Sequence, residues 1–524
     1  MPSVKGLELA LDLTRDAVEP KRRQAGSMRL LVIGDFSGRS IAEGAADEER
    51  VLDRPIVRVD VDNFADVLRR CAPCARIAAP GGGAPLELEI RALDDFRPEA
   101  LYRRLAVFEP FREIRRRLLE PSTFAAAAAE LQARLGGPLA DAGAAGPEAG
   151  AEAGADAGPA ESDAEAIERL LGKPAKVASD ARSAGAERAR ATVSELIRRA
   201  VGPQASAEQP RHRDVYLRTL DDAVSAHLRA LLHAPAFQAL EASWLSLHHL
   251  VSSLETGEGL QIHLLDASKE SLAADLASAD GDLKASGLYR LLVERTGAAT
   301  PGGEPWSLLI GSYFFGPAPT DLGLLTALGL VAAGAGGPFL AAASPALLGC
   351  RSIVETPDPV DWAPLQAEAE AAWTALRQSP IARWLGLALP RVLLRLPYGP
   401  EAEPVEGIAF DELAGERRHA DYLWGNPAFV CALLIGQAYA ARGWAMAPGD
   451  ILDLDDLPAH VYTADGEKQL QACAEGYLSE RTATAILDRG IMPLLSFKGR
   501  NSIRLARFQS IASPPAPLIG SWRG

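Results

Sequence analysis

The chain has 524 residues, of which 48% are hydrophobic, so it is long enough for two or more domains with sizeable cores. A formal net charge of −15 argues against a nucleic-acid-binding protein, because a phosphate-reading surface needs concentrated Lys and Arg. The five cysteines are spread thinly, residues 1–20 lack the apolar core of a signal peptide, and no later run reaches the length of a membrane span. We therefore expect a cytoplasmic protein without structural disulfides.

The first 135 residues predict a polar tail, 1–25, followed by a small α/β domain, 26–135. Apolar residues, alone or alternating with charged ones, predict strands at 29–34, 56–61 and 86–90. Asp62 and Asn63 are suited to cap the helix that begins near Phe64. A second helical stretch carries its apolar residues from Leu105 to Leu118 on one side and its arginines mostly on the other.

Two short motifs in this region have both a functional and a structural interpretation. The turn at 34–40 follows a strand and contains two glycines, as phosphate loops do, but it lacks the Walker spacing and carries Arg39 in place of the required Lys. Cys71 and Cys74 have the spacing of a redox pair, but no second pair exists for zinc. We favour a structural turn for the first motif and a coincidence in a loop for the second.

Residues 136–212 predict a linker. Their composition shifts to Ala, Gly, Pro and Glu, which cannot bury enough apolar area to offset chain entropy. Two segments within it, 167–171 and 193–201, have helical spacing and are interpreted as tethered docking helices.

The third region, 213–524, begins with the clearest helical pattern in the chain. Apolar residues recur every three or four positions over 214–254, interrupted by Pro235, and Trp244 lies on this seam. The adjacent His248 and His249 have no ligand partners at metal-binding spacing, so we interpret them as surface or core residues. Short apolar strands at 261–266, 307–311 and 339–343 then alternate with helical patterns. This alternation predicts a largely parallel sheet with helical cover, and thus an α/β fold.

The apolar run at 385–400 is broken by prolines and carries Arg391 and Arg395 on one face if it is extended. Buried arginines need carboxylate or carbonyl partners, so they are either paired structural residues or an anion-binding site. Several tryptophans follow in this half of the chain, and we expect some of them to anchor subunit contacts. They are at positions 362, 373, 384, 424 and 444. The pattern indicates no catalytic constellation, metal site or cofactor site.

Six segments resemble, in order, the large subunit of the type VI secretion contractile sheath, the TssC or VipB family. They are FQALEASW (237–244), GGEPWSLLIG (302–311), AAASP (341–345), LPRVLLRLPYGP (389–400), YLWGN (422–426) and GIMPL with KG (490–494, 498–499). The motifs at 389–400 and 422–426 make Arg391, Arg395, Trp424 and Asn426 candidate structural or interface residues, together with Trp244 from the first segment.

Three N-terminal segments resemble the small sheath subunit, TssB or VipA. They are MRLLVIGDFSGR (28–39), VDVDNF (59–64) and LDDFRPE (93–99). The resemblance therefore implies a fusion of two sheath proteins that are normally separate chains: a small α/β domain packed on a larger α/β sheath-type domain through a flexible linker.

The resemblance implies a structural protein without catalytic activity or cofactor, whose partners are other sheath subunits, the tube protein or baseplate proteins. It also implies an AAA-class unfoldase as a candidate partner, recognising a helix that corresponds by position to 162–201, and it implies neither nucleic-acid binding nor membrane insertion.

Three departures from the family qualify this interpretation. The usual N-terminal helix lies inside the linker, Leu245 and Ser246 replace the family's Arg and Gly, and 213–524 is expected to lack the family's C-terminal portion. We accordingly keep two hypotheses: a sheath protomer or sheath-like accessory subunit, and a non-polymerising adaptor or assembly factor at a baseplate or sheath end. The third departure favours a monomer or small oligomer that acts at a sheath terminus.

Overall fold

The structure is a computed structural model that describes residues 26–39, 50–77, 85–135, 208–279, 282–297, 303–415, 417–464 and 466–522. We call residues 26–135 the N-segment and residues 208–522 the C-segment. The predicted tail, most of the predicted linker and its two predicted helices lie outside the described residues.

Helices and strands alternate through the C-segment, which confirms the predicted α/β class. The helices are α1 (Phe64–Cys71), α2 (Pro98–Arg104), α3 (Glu109–Leu119), α4 (Phe124–Leu135), α5 (Glu208–Leu232), α6 (Pro235–Ser253), α7 (Lys269–Ser278), α8 (Gly287–Tyr289, continued by a π-helix at Arg290–Arg295), α9 (Pro319–Ala335), α10 (Ala367–Gln378), α11 (Pro427–Arg442) and α12 (Glu480–Asp488). The strands are β1 (Met28–Gly34), β2 (Ile56–Val59), β3 (Cys74–Ile77), β4 (Leu86–Glu89), β5 (Leu260–Asp266), β6 (Leu308–Phe315), β7 (Phe339–Ala343), β8 (Leu385–Leu389), β9 (Val392–Leu393), β10 (Trp424–Gly425), β11 (Asp453–Leu454), β12 (Val461–Ala464), β13 (Glu467–Leu470), β14 (Ile491–Ser496) and β15 (Ile503–Leu505).

Among the described residues, the central sheet has nine strands in the order β11-β15-β14-β8-β7-β6-β1-β5-β2. The consecutive strands from β14 to β5 are parallel, whereas β2, β15 and β11 pair antiparallel with their neighbours. The largely parallel sheet predicted from the alternation of strands and helices is therefore confirmed. Three antiparallel pairs lie outside it: β3 with β4, β9 with β10, and β12 with β13.

Strand β1 of the N-segment lies in the middle of the C-segment's sheet, between β5 and β6. Its alternate side chains enter two different cores: Leu30 and Val32 face one side of the sheet, and Leu31 and Ile33 face the other. This burial on both faces explains why the strand is continuously apolar. The two segments thus share one sheet, so they pack as one unit, as predicted. They are joined by backbone pairing within that sheet and not only by contact between two separate domains.

The strands of the N-segment do not form a sheet of their own. Strand β2 forms an edge of the large sheet beside β5, and β3 pairs with β4 in a separate hairpin. Sequence alternation identifies a strand but not its partner, so it does not show that the strands of the predicted small domain pair with those of the C-segment.

The helices cover the sheet in two layers. One core contains α5, α6 and α11 together with the N-segment helices, and the other contains α9, α10 and side chains of α7, α8 and α12. The predicted seam over 214–254 corresponds to α5 and α6, and Pro235 is the first residue of α6.

Most of the tryptophans expected at subunit contacts lie in these cores instead. Trp373, Trp384, Trp424 and Trp444 are each at most 9% exposed, and only Trp362 of this group is half-buried. Trp373, Trp384 and Trp444 fill space in the two main cores, whereas Trp424 lies in a separate small cluster with Leu393 and Tyr422. Sequence alone does not distinguish such burial from a binding surface.

The predicted cap of the first helix is wrong in its detail. Asn63 precedes α1, but its side chain makes no capping bond. Its Oδ1 accepts a hydrogen bond from the Asp60 amide at 3.0 Å, and Asp60 Oδ1 accepts one from the Asn63 amide at 3.0 Å. The pair stabilises the turn before the helix.

Candidate functional site: the junction of the two segments

The turn after β1 wraps around a carboxylate of the C-segment. The amides of Phe36 and Ser37 donate to Asp266 Oδ1 at 2.8 and 3.0 Å, and Asp266 ends β5. Burial raises the pKa of the Asp266 carboxyl, although its hydrogen bonds act in the opposite direction. The amides that would cradle a phosphate in a nucleotide-binding loop are thus occupied by the chain's own anion, in agreement with a structural turn.

The glycines of this turn are required by space. A Cβ on Gly34 would lie 2.8 Å from Ser312 Cβ of β6, and a Cβ on Gly38 would lie 2.4 Å from the Cys74 carbonyl oxygen. Gly38 also has a positive φ of 72°. Cys74 follows in β3, Cys71 ends α1, and both thiols are free. Burial raises the pKa of Cys71 to about 12, so this thiol is suited to packing rather than to redox chemistry.

Trp244 joins helix α6 to this turn. Its ring is fully buried, its Nε1 donates to the Phe36 carbonyl at 2.9 Å, and it makes edge contacts with Phe36 and Phe64 at 5.1 and 5.7 Å between ring centroids. One residue of the C-segment therefore contacts both the strand-loop and the first helix of the N-segment.

Arg395 is held between two buried carboxylates. Its Nε donates to Glu241 Oε1 at 2.7 Å, and its Nη1 and Nη2 donate to Glu412 at 2.8 and 3.0 Å. The Arg395 side chain is 11% exposed and both carboxylates are 1% exposed. The guanidinium also lies 4.3 Å over the Tyr398 ring. We call Arg395, Glu241 and Glu412 the buried ionic cluster.

The two carboxylates of the buried ionic cluster differ in electrostatics. Burial raises the pKa of Glu241, and Arg395 offsets this only in part. Burial would also raise the pKa of Glu412, but the charge of Arg395 and the hydrogen bonds that this carboxylate accepts lower it to about 2. Glu412 has more donors because it also accepts the Tyr398 amide at 2.8 Å. It is therefore the more firmly ionised partner.

Arg391 binds a different carboxylate. Its Nε and Nη2 donate to Glu475 Oε1 at 2.9 and 2.6 Å, and its amide donates to Oε2 at 2.9 Å. The two arginines do not share an extended strand, because β8 ends at Leu389 and β9 covers only Val392–Leu393. Both are paired with carboxylates within the fold, which supports the structural alternative over an anion-binding site.

Trp424 and Asn426 contact the elements on either side of β10. The Trp424 ring stacks on His419 at 4.7 Å, and Nε1 donates to the His419 carbonyl at 2.9 Å. Asn426 caps α11 by accepting the Ala428 amide at 2.9 Å, and its Nδ2 donates to the Tyr313 carbonyl of β6 at 3.0 Å. Asn426 thus ties α11 to the strand that pairs with β1.

Further polar contacts close the junction at its periphery. Arg97 of the N-segment donates to Glu403 at 2.7 Å, and Arg115 pairs with Asp221 of α5. Gln132 Nε2 donates to Tyr216 OH at 2.5 Å, next to the last turn of α4. These contacts distribute the attachment of the N-segment over several elements of the C-segment.

The sequence motifs located Arg391 and Arg395 but missed their partners Glu475, Glu241 and Glu412. They also missed Asp266, which accepts the amides of the turn after β1. Glu241 did carry a signal, because it is an acidic residue between Leu240 and Trp244 on an otherwise apolar helix face. In the described ranges, no group of three or more His, Cys, Asp or Glu is arranged to hold a metal ion, and no helix is long and apolar enough to cross a membrane. Chemically, this arrangement holds two segments in one fixed geometry.

Comparison with known proteins assigns a sheath family to each segment. Residues 214–512 match the VipB family model, described as EvpB/VC_A0108, tail sheath N-terminal domain. Residues 19–145 match the model described as type VI secretion system, VipA, VC_A0107 or Hcp2. The type VI secretion system sheath protein TssC1 of Pseudomonas aeruginosa is 34% identical over 301 residues, which are 56% of this chain and 60% of that relative.

The order of the two matches, small subunit before large, is the order that the sequence motifs predicted. The VipB match spans more than half of the chain, whereas the chain spans about 60% of the length of TssC1. The chain belongs to the VipB family of type VI secretion tail sheath proteins, and it carries a VipA-family segment ahead of the VipB-family one.

Proposed function

We propose that this chain is a structural subunit of a type VI secretion contractile sheath, as a protomer or a sheath-like accessory, and serves effector delivery by contraction. The observation that carries the proposal is the position of β1, a strand of the VipA-family segment, at the centre of the sheet of the VipB-family segment. Two sheath families thereby form a single folded unit.

The geometry is suited to a subunit that moves as a rigid body. Contraction requires subunits to change their mutual positions while each keeps its own shape. The shared sheet and the Trp244 contacts oppose relative movement of the two segments, and the buried ionic cluster fixes α6 against the segment after β9 within the C-segment. The proposal assigns no catalytic step and no cofactor to the chain.

The proposal implies partners that are specific to a sheath. They are other sheath subunits, the tube protein or baseplate proteins, with an AAA-class unfoldase as a candidate for recycling, and the site of action would be the cytoplasm. We further propose that 26–135 and 213–524 are the two functional parts and that 136–212 connects them.

Electron microscopy of the purified protein, alone and with tube protein, tests this function. A sheath protomer gives regular hollow tubes whose length depends on the tube protein. Arg504→Ala is a suitable control, since it removes only an exposed pair with Asp453 and should assemble like the unaltered protein. Particles that stay monomeric under all conditions yet bind a sheath end or baseplate would contradict the protomer and favour the adaptor hypothesis.

A further inference from the structure

Four exposed apolar side chains lie on one surface of the C-segment. Among the described residues, seven large apolar or aromatic side chains are exposed, and four of these belong to the surface: Val354, Val360, Val461 and Tyr477. Their exposed fractions are 39%, 68%, 49% and 37%, in that order. Single exposed apolar residues are ordinary, whereas a contiguous group marks an interaction site.

Contacts between neighbouring elements make this surface continuous. Val354 lies beside Gly476, where an added Cβ would be 3.5 Å from Val354 Cγ2. The next residue, Tyr477, donates its hydroxyl to the Leu470 carbonyl of β13 at 3.0 Å, and Leu470 pairs with Val461 of β12. The surface therefore runs from the loop that carries Val354, across Tyr477, to the hairpin of β12 and β13. We call it the Tyr477 face.

Helix α12 holds the loop end of the Tyr477 face. Arg481 Nη1 lies 3.5 Å from Asp358 Oδ1, and the Thr482 hydroxyl donates to the Pro357 carbonyl at 2.7 Å. The buried side of α12 enters the core on one side of the sheet. Val360 follows in the same loop, so its exposed side chain is presented by a segment that is attached to the folded core.

The two ends of the Tyr477 face carry opposite net charge. In residues 351–362 and the first turn of α12, the exposed charged side chains outside ion pairs are three acids and one base: Glu355, Asp361, Glu480 and Arg351. Residues 498–500 adjoin the hairpin end, since Lys498 Nζ lies 5.9 Å from the centre of the Tyr477 ring. In β12, β13 and 498–500, the corresponding side chains are three bases and one acid: Lys468, Lys498, Arg500 and Glu467. None of these groups forms an ion pair with another described residue.

Strand alternation places the base of the hairpin beside its exposed apolar residue. Val461 pairs with Leu470 and Thr463 pairs with Lys468, so these four side chains share one face of the hairpin. Glu467 is one position removed from Lys468 and lies on the opposite face. The charge next to Val461 is therefore positive.

We propose that the Tyr477 face binds the same face of a second copy of this chain about a two-fold axis. In such a contact one patch serves both partners, so the loop end of one copy meets the hairpin end of the other. The apolar side chains then cover one another, and each acidic end faces a basic end. A chain with a net charge of −15 repels its own copies in general, which favours the contact that brings opposite charges together.

The inference goes beyond the proposed function. A two-fold contact closes after two copies and does not by itself extend into a filament. Its test reads the mass of the free chain without tube protein. The dimer and the role in a sheath can therefore fail independently.

Analytical ultracentrifugation of the full chain is the first test. At micromolar concentration we expect a concentration-dependent equilibrium between the chain mass of 55.5 kDa and twice that mass. High ionic strength should shift it toward the monomer, because salt screens charges at the rim of a contact. A monomer at every concentration, or species that grow beyond a dimer, would overturn the proposal.

An exchange of charges tests how the two ends pair. The hairpin end is reversed by Lys468→Glu with Lys498→Glu, and the loop end by Glu355→Lys with Asp361→Lys. All four side chains are exposed, so both variants should keep the fold. Each variant alone brings like charges together and should weaken dimerisation by about tenfold or more. In an equal mixture of the two variants unlike charges meet again, and the heterodimer should form about as well as the original dimer.

A control separates the position of the charges from their sum. Asp62→Lys with Asp94→Lys changes the net charge as much as the loop-end variant does, but at two exposed acids of the N-segment. This control should dimerise at least as well as the unaltered protein. If either reversed variant dimerises as the unaltered protein does, or if their mixture stays monomeric, the two faces do not pair and the proposal is overturned.

A third arm leaves every charge in place. Val360→Ser removes the most exposed apolar side chain of the Tyr477 face, and the dimer contains it twice, so dimerisation should weaken by about tenfold or more. Val61→Ser is the matched control, since Val61 is 62% exposed on the N-segment. Equal dimerisation of the two variants would show that Val360 stays in water and would contradict the proposed contact.

Discussion

Replacing Arg395 by Met tests whether the buried ionic cluster stabilises the fold of the C-segment. Methionine has a similar reach but no charge and no donors, so the variant loses the hydrogen bonds of Arg395 to Glu241 and Glu412, the shortest of which are 2.7, 2.8 and 3.0 Å. It leaves Glu241 and Glu412, each 1% exposed, without their counter-ion. Breaking a buried ion pair on one side costs about 3–5 kcal/mol, because the remaining charge stays desolvated. Burial already raises the pKa of Glu241, so uptake of a proton there limits the cost to the lower part of this range.

The expected change in melting temperature follows from the size of the folded part. For about 400 residues at about 2.1 cal/mol/K each, the entropy of unfolding is about 0.8 kcal/mol/K, so a cost in the lower part of that range should lower Tm by about 4–5 °C in Arg395→Met. Circular dichroism at one fixed scan rate measures the shift, since unfolding of a protein of this size is often irreversible. The control is Arg504→Ala, which removes a surface arginine with two hydrogen bonds of 2.7 Å to Asp453. Exposed pairs contribute little to stability, so this control should shift Tm by clearly less than Arg395→Met does.

A rescue variant separates charge from packing. Adding Glu241→Gln and Glu412→Gln to Arg395→Met removes the unpaired charges, and Tm should recover most of its loss, since neutral replacements of whole ionic clusters are often tolerated. If Arg395→Met shifts Tm no more than Arg504→Ala does, water must reach the two carboxylates, and the cluster does not stabilise the C-segment.

Three further outcomes are expected. The Glu475 carboxyl has a pKa of about 2, because the hydrogen bond from His419 and the charge of Arg391 outweigh burial, which acts to raise it. Relative to a pKa of about 4.3 in the unfolded chain, the lowered pKa of Glu475 stabilises the fold by roughly 3 kcal/mol at pH values above about 4.3. This stabilisation is lost as the pH falls toward about 2. Glu475→Gln should therefore lower the urea midpoint at pH 7 several times more than at pH 2.5, where about a quarter of this contribution remains, and an equal loss at both values contradicts this. Asn426→Ala should cost about 0.5–2 kcal/mol by loss of the α11 cap, measured by the same midpoint, and an unchanged midpoint would exclude a capping role. Limited proteolysis between residues 142 and 159 should leave both fragments in one peak on a sizing column, and two separate peaks would show that the connection holds the segments together.

Local pattern predicted several strands closely. The predicted strands at 29–34, 261–266 and 339–343 agree with β1, β5 and β7 within one residue at each end. Strand β6 was predicted only as far as Gly311, because Ser312 interrupts the apolar run. The strand in fact continues to Phe315 through a register shift against β7, which no local pattern encodes.

Long-range pairing was less accessible from sequence. Arg395 was recognised as a residue that needs a partner, but Glu241 lies 154 positions earlier in the chain and Glu412 lies in an irregular segment. Similarly, the apolar character of β1 predicted burial without indicating that its neighbours are β5 and β6, which follow more than two hundred residues later. Side-chain type indicates what an environment must provide, whereas the fold decides which residue provides it.

The buried ionic cluster is better explained by specificity than by stability. A well-packed apolar replacement would stabilise the same position at least as well, since desolvating three charged groups offsets most of their attraction. An apolar contact, however, tolerates sliding, whereas Arg395 meets both Glu241 and Glu412 only when α6 and the segment after β9 are in one relative position. The same α6 carries Trp244, which holds the turn after β1. A shift of α6 would therefore both break the ionic cluster and move β1, so the cluster couples the register of the central strand to the position of the covering helix. For a unit that must transmit force without changing shape, as the proposed function requires, such coupling matters more than the net stability that the charges contribute.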